Sequence, residues 1–96
     1  MDGKVCMITG ANSGIGLSTA KGLAKLGATL ILVCRNKEKG DKALREIQYE
    51  TQNDKIDLLL ADLSSQKSVR DLASSFKTKY DKLDVLINNA GTYCTK

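Results

Sequence analysis

Two periodicities alternate along this chain, and the alternation limits it to one class of fold. Short, nearly continuous apolar runs stand at residues 4–9 (KVCMIT), 29–34 (TLILVC), 56–61 (IDLLLA) and 84–88 (DVLIN). Runs of that length suit parallel strands covered on both faces. Between them lie three stretches with helical spacing. Gly16, Ala20, Leu23, Ala24 and Gly27 share a face from Gly14 to Gly27. Gly40, Ala43, Leu44 and Ile47 make a stripe over about 37–50, and Val69, Leu72, Ala73, Phe76 and Tyr80 another over about 66–80. Asn36 and Ser65 suit the N-caps of the second and third helices, and Gly27 suits a stop for the first. The order β-α-β-α-β-α-β calls for a parallel sheet with helices on its faces. Right-handed crossovers make the doubly wound strand order 3-2-1-4 the expected one.

Several function classes fall away on composition. The 96 residues suffice for one small domain, and no apolar run approaches the ~18 residues of a membrane helix. Met1-Asp2-Gly3-Lys4 leads straight into VCMIT without a signal-peptide pattern. Cys6, Cys34 and Cys94 are an odd set without metal-ligand spacing, and histidine is absent. This predicts free, mostly buried thiols in a reducing, cytoplasmic compartment. The net charge of +4 comes from lysines dispersed among acidic residues, with Glu38–Lys42 and Asp41–Arg45 at i,i+4 spacing. A dispersed charge and 4% aromatic content give neither a basic stripe nor a stacking platform, so nucleic acid is not the expected partner.

The chemistry-bearing residues fall where each apolar run ends, at the carboxyl edge of the expected sheet. That edge is where open α/β folds bind ligands. The first run ends in TGANSGIG, residues 9–16. A helix start there offers unpaired N–H groups and a positive dipole end, which suit phosphate. Gly10 permits a tight exit from the strand, Gly14 lets backbone approach a pyrophosphate, and Gly16 lets the helix pack closely on the sheet. Asn12 and Ser13 add short polar side chains. The spacing G-x-x-x-G-x-G is neither the G-x-G-x-x-G fingerprint nor a P-loop. The second run ends in CRN. Arg35 stands where an acidic residue would bond a ribose 2′-OH, and its fork suits a 2′-phosphate, favouring NADP over NAD. The missing carboxylate also weakens a methyltransferase reading. The third run ends in ADL, where Asp62 either accepts from an adenine amino group, with Leu63 against the ring, or only caps a turn. The fourth ends in NNAG, whose amides Asn88 and Asn89 can tie the edge together and whose Gly91 leaves room beside a ribose.

Taken in order, TGANSGIG, CRN, ADL and NNAG closely resemble the short-chain dehydrogenase/reductase family, and most of all its retinol dehydrogenase-like, NADP-preferring members. The resemblance covers essentially the whole chain and implies the N-terminal part of a Rossmann fold, with residues 1–96 a partial NAD(P)-binding domain. It implies that Gly10, Asn12, Ser13, Gly14, Ile15 and Gly16 cradle the pyrophosphate and adenosine ribose. Arg35 and Asn36 would face the 2′-phosphate, Asp62 and Leu63 would hold adenine, and Asn89, Ala90 and Gly91 would line the nicotinamide-side ribose.

The family's proton transfer runs through a Tyr-x-x-x-Lys pair with a Ser and a helix Asn. Here Tyr49 is followed four residues later by Asn53 and Tyr80 by Asp84, while Tyr93 and Lys96 stand three apart. The expectation is therefore the cofactor-binding portion of an NADP(H)-dependent alcohol/carbonyl oxidoreductase, a fragment or truncated isoform inactive alone. Its alcohol or carbonyl substrate would meet only the longer parent, whose membrane association stays open. The alternative is a non-catalytic binding module that self-associates through an exposed fourth strand.

Overall fold

The computed structural model describes residues 3–10 and 14–88. The elements follow the expected alternation: β1 (Val5–Thr9), α1 (Gly14–Lys25), β2 (Thr29–Cys34), α2 (Lys37–Thr51), β3 (Ile56–Leu60), α3 (Gln66–Lys79) and β4 (Val85–Asn88). The strands form one parallel sheet in the order β3-β2-β1-β4. Cys6 lies between Leu30 and Val85, and Met7 between Ile31 and Leu86. Alternation along the strands then divides the core in two. Cys6, Ile8, Leu30 and Leu32 meet Ala20, Ala24 and Ile47 under α1 and α2. Met7, Ile31, Val33 and Leu59 meet Leu72 under α3. β1 and β2 are therefore covered on both faces, which is why their sequences are apolar without alternation.

Local chemistry accounts for the end of α1 and the starts of α2 and α3. α1 buries Gly16, Ala20 and Ala24, small residues that bring it close to the sheet. It stops where Gly27 takes φ 88°. The Gly27 N–H then reaches Ala24 O at 3.1 Å and the Ala28 N–H reaches Leu23 O at 3.2 Å, the paired bonds of a Schellman stop. Asn36 caps α2 through its Oδ1, which accepts from Lys39 N at 3.0 Å, and Ser65 caps α3 by accepting from Ser68 N at 3.2 Å. Gly40 on α2 sits so close to β3 that a Cβ would lie 2.7 Å from Leu58 Cδ1 and 3.4 Å from Cys34 Cβ. The third helical stripe is shallower than its spacing predicts. Leu72 is buried and Phe76 stacks on Tyr80 at 5.2 Å, but Val69 and Ala73 stay exposed. Among the described residues α3 packs on β3 with no helix beside it, so only part of the stripe finds cover. Cys6 and Cys34 are buried, as expected, whereas Cys94 lies outside the described residues. Asp41 pairs with Lys37 at 2.7 Å rather than with Arg45. Lys21 bridges α1 to α2 through Glu46 at 2.6 Å and Glu50 at 2.8 Å.

Two side chains outside the apolar pattern hold the amino-terminal ends of strands. Asn53 Nδ2 donates to Ala24 O at 3.0 Å and Ala28 O at 2.8 Å, while its Oδ1 accepts from Lys55 N at 2.8 Å. One amide thereby joins the end of α1, the start of β2 and the approach to β3. Asn53→Ala should cost about 2 kcal/mol in urea unfolding, because it strands backbone groups that water reaches only in part. Asn53→Asp should be no milder, since a carboxylate cannot donate to the two carbonyls.

Asp84, before β4, accepts from Val5 N through Oδ2 at 2.8 Å, while its own N–H donates to Val5 O at 2.9 Å. This pair of bonds sets the register of β4 on β1. The Val5 N–H holds the Asp84 carboxyl below the ordinary aspartate value, with help from Lys82 and Lys4. A depressed folded value means stability that is present above the unfolded value and lost as pH falls through the lower, folded one. Urea midpoints measured down an acid series should fall less steeply for Asp84→Asn, which keeps an acceptor for Val5 but does not titrate, than for the parent chain.

Candidate functional site

The carboxyl ends of the strands converge beside the start of α1. β1 leaves the sheet at Gly10, whose φ is 65° and whose N–H makes a last ladder bond to Val33 O at 3.2 Å. Gly14 opens α1 at φ 60°, and a Cβ built there meets no described atom within 4 Å. Both glycines occupy the left-handed region that costs other L-residues roughly 1–2 kcal/mol. The open space at Gly14 leaves room for a phosphate to approach the helix start. Ile15 is exposed beside it, and Gly16 is buried against the sheet. Asn12 and Ser13 lie outside the described residues.

At the end of β2, Arg35 and Asn36 are both exposed. Asn36 spends its Oδ1 on the α2 cap, so its amide NH2 is the part it can turn to an anion. The next strand end keeps close company with this one, because Ala61 N–H still bonds Cys34 O at 3.0 Å. Asp62 follows. Its Oδ1 accepts from Ser64 Oγ at 2.6 Å and from Ser64 N at 3.0 Å. These two bonds, in that order, hold the Asp62 carboxyl below the ordinary range, and the Arg35 charge lowers it further. Asp62 thus does cap a turn, but only one of its oxygens is spent on it. Leu63 is half-buried against the core on the α3 side. Asn88 ends β4 opposite Thr9, while Asn89, Ala90 and Gly91 lie outside the described residues.

Three polar residues at this edge have roles that the motifs did not assign. Thr9 is buried, and its Oγ1 donates to Ile87 O at 3.5 Å, tying the exit of β1 to the end of β4. Ser64 locks Asp62, and Ser68 accepts from Asp62 N at 2.7 Å. The Asp-x-Ser spacing is a turn signal that identifies Ser64. No spacing rule identifies Ser68, which reaches back beyond its own helix cap.

The edge can bind and orient an elongated anionic ligand. The described tyrosines stand elsewhere: the Tyr80 hydroxyl donates to Asp57 Oδ2 at 3.2 Å near the amino end of β3, and burial followed by the Asp57 charge pushes its phenol up. Among the described residues no group of three His, Cys, Asp or Glu side chains gathers to hold a metal, and no helix is long and apolar enough to cross a membrane.

A family model for short chain dehydrogenase matches residues 4–96. The chain is 48% identical over 91 residues to retinol dehydrogenase 11 of Homo sapiens, covering 95% of this chain and 29% of that protein. To retinol dehydrogenase 12 of Bos taurus it is 47% identical over 89 residues, covering 93% of this chain and 28% of the relative. It therefore spans under a third of the length of these curated relatives. The crystal structure of L-sorbose reductase from Gluconobacter frateurii, complexed with NADPH and L-sorbose, superposes with a TM-score of 0.86 at 33% identity, over 100% of this chain and 36% of that one.

Proposed function

Because this chain belongs to the short-chain dehydrogenase family, we propose that it is the cofactor-binding portion of an NADP(H)-dependent alcohol or carbonyl oxidoreductase. The observation that carries this is the pair of left-handed glycines, Gly10 and Gly14, at the edge where a strand exit, a helix start and Arg35 come together. Gly10, Asn12, Ser13, Gly14, Ile15 and Gly16 hold the pyrophosphate and adenosine ribose. The Arg35 guanidinium and the Asn36 amide face the 2′-phosphate. Asp62, through Oδ2, and Leu63 take adenine, and Asn89, Ala90 and Gly91 line the second ribose. Bound there, the cofactor supplies hydride exchange at its nicotinamide; the chain's own residues bind and orient it. The likeness to retinol dehydrogenases makes a retinoid the first substrate to try with the longer protein. With no Tyr-x-x-x-Lys in its sequence, this chain alone binds the cofactor without turnover.

Calorimetric titration tests the cofactor choice. The parent chain should bind NADPH at least about tenfold more tightly than NADH. Arg35→Ala should weaken NADPH by roughly 10- to 100-fold and leave NADH nearly unchanged, the range expected for hydrogen bonds to a charged group. Equal binding of the two nucleotides by the parent chain overturns the NADP assignment. NADPH oxidation with retinal should not exceed that of a heat-killed sample.

A second reading rests on the open side of β4. Among the described residues β4 pairs only with β1, and Leu86 on it is 59% exposed. Such an edge can add a strand from another chain, making this one an interaction module. Sedimentation equilibrium should then show a concentration-dependent dimer; a monomer at every concentration removes this reading.

A further inference from the structure

We infer that Ser68, on the first turn of α3, is a positioning residue that aims the Asp62 carboxylate at the adenine amino group. The inference rests on the cofactor reading above and concerns a residue that none of the motifs contains. β3 ends at Leu60, and Ala61 makes the last N–H bond to the neighbouring strand. The next backbone donor, Asp62 N–H, has left the ladder. Ser68 Oγ accepts it at 2.7 Å from six residues further on. The Asp62 carbonyl accepts from Ser65 N at 3.0 Å, and Oδ1 accepts from Ser64 at N and Oγ. Asp62 is therefore held at its amide, its carbonyl and one carboxylate oxygen. None of these bonds uses Oδ2.

The division of labour follows from covalent geometry. The Ser64 contacts set the rotation of the carboxylate about its own side-chain bonds. The Ser68 contact sets the peptide from which that side chain departs, and hence where Oδ2 sits above the sheet edge. In a capping box the third helical residue reaches back to the cap N–H. Here the third residue after the Ser65 cap reaches three residues beyond it, so the start of α3 and the direction of Asp62 are one construction. Loss of the hydroxyl leaves a half-buried N–H without its acceptor and lets the peptide rotate toward water. Threonine at the same place keeps an oxygen on Cβ and can restore the bond.

The test compares NADPH with its hypoxanthine analogue, in which a carbonyl replaces the adenine amino group. Binding of both is measured by calorimetry to the parent chain, Ser68→Ala, Ser68→Thr and Ser65→Ala. The parent chain should favour NADPH by about tenfold, the range of one hydrogen bond to a charged acceptor. Ser68→Ala should bring that ratio close to one by weakening NADPH alone, and should speed exchange of the Asp62 amide proton. Ser68→Thr should restore both. Ser65→Ala removes the helix cap and should lower the melting temperature without moving the ratio. A Ser68→Ala chain that melts lower yet keeps the parent ratio overturns the inference and leaves Ser68 a purely structural residue. A parent chain that binds both nucleotides equally overturns the Asp62–adenine contact, and with it the role of Ser68. A parent chain that binds neither overturns the cofactor reading itself.

Discussion

β1 is bonded along both edges and covered on both faces, and the rest of the chain is arranged around that condition. Its neighbours β2 and β4 come from different parts of the sequence, and both run parallel to it. A parallel partner requires a crossover, and crossovers of one hand send α1 and α2 to one face and α3 to the other. The adjacent strands β2 and β3 therefore lead into helices on opposite faces of the sheet. Gly10 is the consequence at the level of one residue. A chain enclosed on four sides can leave only forwards and at once, and the left-handed backbone of Gly10 makes that turn.

Where the ladder stops, backbone donors and acceptors still need partners, and polar side chains supply them. At the amino ends, Asn53 serves the turn around β2 and β3, and Asp84 serves the approach to β4. At the carboxyl ends, Thr9 reaches the end of β4, and Ser68 receives Asp62 N–H, the first donor beyond the β3 ladder. These residues contribute little buried apolar area. What they determine is register and direction, and a binding edge depends on both. A slip of one residue in β4 would turn Ile87 away from the α1 side and Leu86 into it.

Much of this was legible in the order of residues. The strand and helix spans, the caps at Asn36 and Ser65 and the stop at Gly27 rest on short-range rules: apolar continuity, 3.6-residue spacing, and the few residue types that satisfy a helix end; the parallel order 3-2-1-4 follows from the alternation of elements and the hand of crossovers. The shallow burial of α3 was not legible. Its stripe matches a buried helix in spacing, but what covers Val69 and Ala73 depends on neighbours that the periodicity of one segment cannot specify. The partner of Asp41 was likewise a matter of geometry, since Lys37 and Arg45 are equally spaced from it and only one is paired.

The sequence by itself determined which segments become strands, which become helices, and that phosphate-compatible backbone would follow the first strand, because each of these is a property of a few adjacent residues. It also singled out Arg35 and Asp62, and left Asp62 divided between a turn and a ligand. Only the tertiary structure decided that the turn at Asp62 uses one carboxylate oxygen, that Asn36 spends its Oδ1 on the helix cap, and that Ser68 receives the amide of a residue six positions earlier. The physical reason is the same in all three. A hydrogen bond is allotted by distance and angle between atoms, and those are set when the strands have been brought together, not by the spacing of letters along the chain.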